Sequence, residues 1–294
     1  MSLVDSSPAQ TDARDPALNR RDFVRTGVGV GFAAAVWPVV AETTHQTSSE
    51  GLEVGEVTID VQGFAMPAYR AMPAGAKNAP VILLVSEIFG VHEHIADVAR
   101  RLAHQGYLVI APELFVRQGD VGSYAEIGKL MSEVIGKVPD AQVMGDLDAC
   151  VSWAAAHGGD VSRLGITGFC WGGRITWLYS AHNPKVRAAV AWYGRLVGNV
   201  SPLTPKHPID LVAQLQAPVL GLYGGADTGI PLESVEKMRA ALKTGSRAAQ
   251  LSEFVVYPDT PHAFHADYRP SYRREPAEDG WKRCLGWFRQ NGVI

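Results

Sequence analysis

Residues 165–173 read Gly165-Ile166-Thr167-Gly168-Phe169-Cys170-Trp171-Gly172-Gly173. The fold follows from how this stretch must be arranged. Arg163 to Thr167 has the character of a buried strand, and Gly172-Gly173-Arg174-Ile175 opens a helix. Between them a cysteine has glycine two residues to either side. That is the spacing of a nucleophile elbow with sulfur in place of oxygen. A reactive side chain is held in a strained turn, and its flanks must be small where a side chain would strike the adjoining strand and helix. The turn also sets the sulfur near a helix N-terminus, where exposed N–H groups and the helix dipole favour a thiolate and, later, an oxyanion. Most free cysteines are small buried hydrophobes. Cys150, in Leu147-Asp148-Ala149-Cys150-Val151-Ser152-Trp153, and Cys284, in a Trp-rich terminal segment, fit that description as core-facing helix positions. The setting of Cys170 does not.

Working outward, strands and helices alternate. Upstream, Val54–Val61 and Phe64–Arg70 alternate apolar and polar residues about Gln62-Gly63, which predicts an antiparallel hairpin at a sheet edge. Val81-Ile82-Leu83-Leu84-Val85 is a continuous apolar run, the signature of a parallel strand buried on both faces. A helix is predicted over His92–His104, a strand over Tyr107–Ala111, a loop over 113–122, and helices over Ser123–Ile135 and Asp140–His157. Downstream, strands are predicted over Val186–Tyr193, Ala217–Tyr223 and Gln250–Tyr257, with helices over Pro231–Lys243 and Pro276–Gln290. This order argues an α/β fold: an open, mostly parallel sheet with helices on both faces and an N-terminal β-hairpin, forming one domain over residues 54–294.

In such sheets sites form at the carboxyl ends of strands. Cys170 follows one strand. Asp227 follows another in Leu222-Tyr223-Gly224-Gly225-Ala226-Asp227, and His262 follows the last in Tyr257-Pro258-Asp259-Thr260-Pro261-His262-Ala263-Phe264-His265. Each alone has an ordinary alternative, Asp227 as a turn residue and His262 as a loop histidine. Together, nucleophile, acid and histidine at successive strand ends stand in the order used by α/β-hydrolases. The chemistry needs all of them: sulfur to attack, imidazole to move the proton, carboxylate to orient the imidazole. Asp259 and His265 are the nearest competitors for the last two roles.

Four motifs now stand in order: Ser86-Glu87-Ile88-Phe89-Gly90 after the first buried strand, Gly168-Phe169-Cys170-Trp171-Gly172-Gly173, Gly224-Gly225-Ala226-Asp227 and Pro261-His262-Ala263-Phe264-His265. They resemble the dienelactone hydrolase family (carboxymethylenebutenolidases) of the α/β-hydrolase superfamily, from about Val54 to the C-terminus. The resemblance implies the α/β-hydrolase fold, a catalytic Cys170-His262-Asp227 triad, no cofactor and no metal. Glu87 matches a glutamate that helps deprotonate the thiol when substrate enters, and the backbone N–H groups of Ile88 and Trp171 match the oxyanion hole. Arg117 matches an arginine that holds a substrate carboxylate, and Tyr193 an aromatic pocket position. A second carboxylate-binding arginine of the family falls here on Ala266, with Arg174, Arg195 and Arg269 as possible replacements.

The chain has 294 residues, 47% hydrophobic and 19% charged, with a net charge of −3. That is enough to bury a full core, and it gives nucleic acid no basic surface. The three cysteines lie far apart, without metal-ligand spacing or a disulfide framework. Residues 1–41 look like a signal peptide. Asn19-Arg20-Arg21-Asp22-Phe23 precedes a Gly-, Ala- and Val-rich uncharged run to Ala41, shorter than the roughly 20 residues that span a bilayer as a helix. The paired arginines resemble a twin-arginine export signal, and Val39-Val40-Ala41 suits cleavage after Ala41. Residues 42–53 read as a linker. The expectation is a periplasmic hydrolase, delivered by the twin-arginine machinery with no membrane span in the mature chain. It would open a small ester or lactone through a thioester on Cys170, behind a narrow entrance that protects the thiol. A broad-specificity carboxylesterase, or a ligand-binding or redox thiol module without turnover, are the alternatives.

Overall fold

In a computed structural model the described residues are 45–294. The expected signal peptide and the first residues of the linker lie outside them. The fold is built on one eight-stranded sheet in the order β1-β2-β4-β3-β5-β6-β7-β8. The strands are β1 Leu52–Val61, β2 Phe64–Pro73, β3 Ala79–Val85, β4 Leu108–Pro112, β5 Gly159–Phe169, β6 Val186–Trp192, β7 Val219–Gly224 and β8 Glu253–Tyr257. β1 and β2 form the expected hairpin at the sheet edge. β2 meets β4 antiparallel, and every pairing from β4 through β3 to β8 is parallel. This is the α/β-hydrolase architecture.

The helices are α1 Glu93–Ala103, α2 Ile127–Glu133, α3 Asp140–Ala156, α4 Trp171–His182, α5 Leu232–Leu242, α6 Arg247–Gln250 and α7 Arg274–Gln290. α1 turns Ile95, Val98, Ala99 and Leu102 inward, the spacing of a single helical face. α4 is buried along nearly its whole length, from Gly172 to Ser180. Its hydroxyls find partners within the helix: Thr176 Oγ1 donates to the Gly172 carbonyl and Ser180 Oγ to that of Thr176. On β5, a Cβ at Gly165 would point at Phe288 of α7, whereas one at Gly168 would point at Gly172 and Thr176 of α4. Successive strand residues face opposite sides, so α4 and α7 cover opposite faces of the central strand.

Several elements differ from expectation: β5 and β2 run longer than read, over Gly159–Phe169 and Phe64–Pro73, and two further differences have a clear local cause. Ser123–Ile135 is not one helix; α2 is flanked by 3-10 turns at Val121–Ser123 and Ile135–Lys137. Gly122, Gly128 and Gly136 weaken a continuous helix, and the Asp120 side chain accepts from the Gly122 amide, favouring a local turn. The strand expected from Gln250 begins at Glu253, because Ser246 caps the short α6 by accepting from the Ala249 amide.

Candidate active site

The carboxyl ends of β3, β5, β6 and β7 meet at one place, and the elbow is its centre. Cys170 has φ 55° and ψ −111°, a strained conformation that costs a non-glycine residue roughly 1–3 kcal/mol. Its amide is anchored to the Trp192 carbonyl of β6 at 3.0 Å. The flanking glycines are steric requirements. A Cβ at Gly168 would lie 2.4 Å from the Gly172 carbonyl oxygen, one at Gly172 2.3 Å from that of Val85, and one at Gly173 2.5 Å from that of Trp192. Backbone from β3, β6 and α4 therefore encloses the turn and presents the thiol at the start of α4. Cys170 is partly exposed, whereas Cys150 and Cys284 are buried, which pushes both of those thiols well up.

His262 and Asp227 come to this thiol. His262 Nδ1 lies 2.6 Å from Asp227 Oδ2, and the ring also interacts with the Cys170 thiol. The other Asp227 oxygen accepts from the amides of Gly229, at 2.9 Å, and Ile230, at 3.1 Å. The carboxylate is thus held from both sides. Burial alone would lower the His262 pKa. Its interactions with Asp227 and Cys170 outweigh burial and push it up to about 10. The competitors stand elsewhere. Asp259 is not the partner of His262, and His265 is buried against Phe169, with ring centroids 5.0 Å apart. Burial and the neighbouring His94 hold His265 well below the usual imidazole range.

Glu87 follows β3 and is 2% exposed. Both its oxygens are engaged: Oε2 lies 3.2 Å from His92 Nε2, and Oε1 accepts from the Tyr268 hydroxyl at 3.1 Å. Burial raises its pKa, but His92, then His94 and Arg269, outweigh that and hold it below the carboxylate range. Ile88 adjoins it in the loop after β3. Trp171 opens α4, so its N–H is one of the amides that a first helical turn leaves without an intrahelical carbonyl. Tyr193, at φ 39°, is fully buried with its ring edge-on to His262 at 5.0 Å. Its hydroxyl has no hydrogen-bond partner. Burial, and then the charges of Glu87 and Cys170, push it well above the usual phenol range.

The arginines divide sharply. Arg117 is spent on Asp146 of α3 through a bidentate pair at 2.7 and 2.8 Å, and it lies over the Phe64 ring. Arg174 is spent likewise on Asp140, at 2.7 Å for both bonds, and Arg195 is exposed. Arg269 makes no ion pair among the described residues. It lies over Phe89 at 4.7 Å, donates through Nε to the Tyr268 hydroxyl at 3.3 Å, and faces the charge of Glu87. His92 and Tyr268 went unnoticed in the sequence. A histidine just ahead of a helix and a tyrosine six places past His262 carry no local signal of a shared carboxylate.

The described chain matches the dienelactone hydrolase family over residues 66–292. The chain belongs to that family. A protein of Methylorubrum extorquens provisionally named carboxymethylenebutenolidase is 60% identical over 282 residues, covering 96% of each chain. One of the same provisional name from Escherichia coli is 56% identical over 263 residues, 89% of this chain and 96% of its own. A crystal structure from Klebsiella pneumoniae, provisionally named dienelactone hydrolase, superposes with a TM-score of 0.78 at 59% identity, covering 81% of this chain and 99% of its own. Membership of the dienelactone hydrolase family makes the chain a hydrolase of the carboxylic ester class. Among the described residues no helix is long and apolar enough to cross a membrane.

Proposed function

We propose that this chain hydrolyses small esters or lactones through a thioester on Cys170. The observation that carries the reading is His262 hydrogen-bonded to Asp227 and interacting with Cys170 at the mouth of a strained elbow. In the resting site His262 holds the thiol proton, and Asp227 stabilises the imidazolium and fixes its tautomer. Sulfur attacks the carbonyl carbon, and the oxyanion is received by the N–H groups of Ile88 and Trp171. The C–O bond breaks as His262 returns its proton to the leaving alkoxide. Water then attacks the thioester while His262 takes the water proton. The carbon–sulfur bond breaks, the carboxylic acid leaves, and the thiolate–imidazolium pair is restored. Tyr193 lines the pocket beside His262.

Glu87 is the group that the family resemblance assigns to thiol deprotonation as substrate enters. With both its oxygens engaged, that role requires its release from His92 and Tyr268, so resting ionisation is assigned to His262. Arg117 is committed to Asp146, so a substrate carboxylate is assigned to Arg269, the unpaired guanidinium beside Glu87. The same commitment of Arg117, with Ala266 where the family has a second arginine, favours a second reading in which neutral esters are the main substrates. Turnover of a carboxylate-bearing lactone and of a neutral ester of similar size, by the wild type and by Cys170→Ala, separates them. Loss of all turnover in the variant supports the thioester; equal turnover in both proteins refutes it. We also propose twin-arginine export with cleavage after Ala41, read by N-terminal sequencing of the periplasmic protein.

A further inference from the structure

Residues 45–48, just ahead of β1, are fastened to the body of the fold. The His45 amide donates to Asp267 Oδ2 at 3.0 Å, and the Thr47 amide to Asp97. Arg100 of α1 donates through Nε to the Thr47 carbonyl at 2.9 Å, and the His104 ring meets the Ser48 carbonyl at 2.8 Å. The acceptors are interior groups, since the Asp97 and Asp267 side chains are each 1% exposed. A buried carboxylate is tolerated only with donors around it. Those of Asp267 come from α1, through His94 Nδ1 at 2.9 Å and Arg101 at 3.1 Å, and from the amide of His45.

Asp267 directly precedes Tyr268 and Arg269, the hydroxyl on Glu87 and the unpaired guanidinium beside it. His94, held by Asp267, lies against the Tyr268 ring at 5.3 Å and is stacked on His92 at 6.1 Å. Every link from the N-terminal segment to Glu87 is therefore a hydrogen bond or a ring contact. Three donors from two separate segments thus converge on one carboxylate and restrain the 267–269 turn. Losing one donor leaves an under-satisfied buried charge that the turn relieves by moving.

Building on the hydrolase reading above, we propose that His45–Ser48 is a positioning strap for the active site, whose backbone fixes Asp267 and through it sets Tyr268 and Arg269 against Glu87. The strap acts through main-chain atoms, so proline and alanine at position 45 have opposite consequences. It begins four residues beyond Ala41, so a chain cleaved there keeps it whole, while one trimmed to residue 50 loses it.

The test compares the full chain with His45→Pro, His45→Ala, and chains lacking residues 1–41 or 1–49. The readouts are kcat/KM on the carboxylate lactone, amide exchange of the 263–273 segment by mass spectrometry, and melting temperature. Expected for His45→Pro and the chain lacking 1–49 are a fall of about tenfold in kcat/KM, the scale of a small misplacement, and faster exchange confined to that segment. His45→Ala and the chain lacking 1–41 behave as the full protein. Unchanged kcat/KM in His45→Pro, or an equal loss in His45→Ala, overturns the proposal. Should the shorter chain not fold, His45→Pro decides. Should the full protein turn over nothing beyond Cys170→Ala, the hydrolase reading fails, and exchange in His45→Pro against His45→Ala alone decides the strap.

Discussion

Replacing Gly172 by alanine tests the geometry of the elbow directly. The new methyl would stand 2.3 Å from the Val85 carbonyl oxygen and 2.6 Å from that of Ser86. Both are backbone atoms in or just after β3, a strand buried over its whole length, so no flexible side chain can yield. Reaching ordinary contact of about 3.5 Å requires α4 and β3 to part by about 1 Å. That separates the elements carrying Trp171 and Ile88, the two halves of the proposed oxyanion hole, and it displaces Cys170 from His262. Overpacking of this kind costs about 1–3 kcal/mol, a fall of roughly 3–10 °C in Tm for a chain of this size. Misplacement of about 1 Å at reacting groups costs on the order of 100-fold in rate. Gly128→Ala is the control: nothing lies within 4 Å of its Cβ position in α2, so activity and Tm stay level or Tm rises slightly. Steady-state kcat/KM on a neutral ester and a thermal melt read both. A Gly172→Ala protein within twofold of wild-type kcat/KM and within about 1 °C in Tm would refute the reasoning.

Three further outcomes follow from the site. Asp227→Asn removes the charge that raises His262 and favours the wrong tautomer, so kcat on either substrate falls by about 10⁴-fold. A raised histidine pKa means that the imidazolium persists as pH rises until about 10; the alkaline limb of the wild-type pH–rate profile therefore lies near pH 10, and in the residual activity of Asp227→Asn it moves toward neutrality. Arg269→Gln raises KM for the carboxylate lactone about tenfold or more and leaves neutral-ester kinetics level, while Arg117→Gln strips Asp146 of its partner and lowers Tm without changing that preference. With excess iodoacetamide on the native protein, intact mass shows a single adduct, on Cys170, since Cys150 and Cys284 are buried with raised thiol pKa values. Bulkier reagents react more slowly than with an unhindered thiol, the mark of a narrow entrance.

The parts of the fold legible in the sequence were those governed by local, repetitive constraints. Val81–Val85 reads as a buried parallel strand because both its faces are apolar, and the elbow because each of its glycines is demanded by backbone atoms a few ångströms away. The order of Cys170, Asp227 and His262 was legible because the sheet brings strand ends to one edge. What escaped was set by side chains meeting across the fold. Nothing near Arg117 shows that a carboxylate on α3 will occupy its fork, and nothing near Tyr268 shows that it reaches Glu87, 181 positions away. The polar stretch before β1 reads as linker because hydrogen bonds made by main-chain amides leave no trace in residue type.

These hidden contacts change how the site is understood. A cysteine, histidine and aspartate would make a working dyad and orienter on many folds, and in this chain they are framed by a second layer. Glu87 is an ionised carboxylate in the interior, tolerable because His92, Tyr268 and the nearby Arg269 surround it. Any anion arriving at Arg269 competes with Glu87 for the same guanidinium charge. Under the proposed function, a carboxylate-bearing substrate therefore weakens one of the attractions that hold Glu87 in place, and a neutral ester does not. The two substrates then differ in more than KM. In Tyr268→Phe, where one of the bonds on Glu87 is already absent, the advantage of the acid lactone in kcat shrinks toward that of the neutral ester, while Arg269 still secures its binding. A variant that kept the full kcat advantage would show that Glu87 is a fixed counter-ion and takes no part in the reaction.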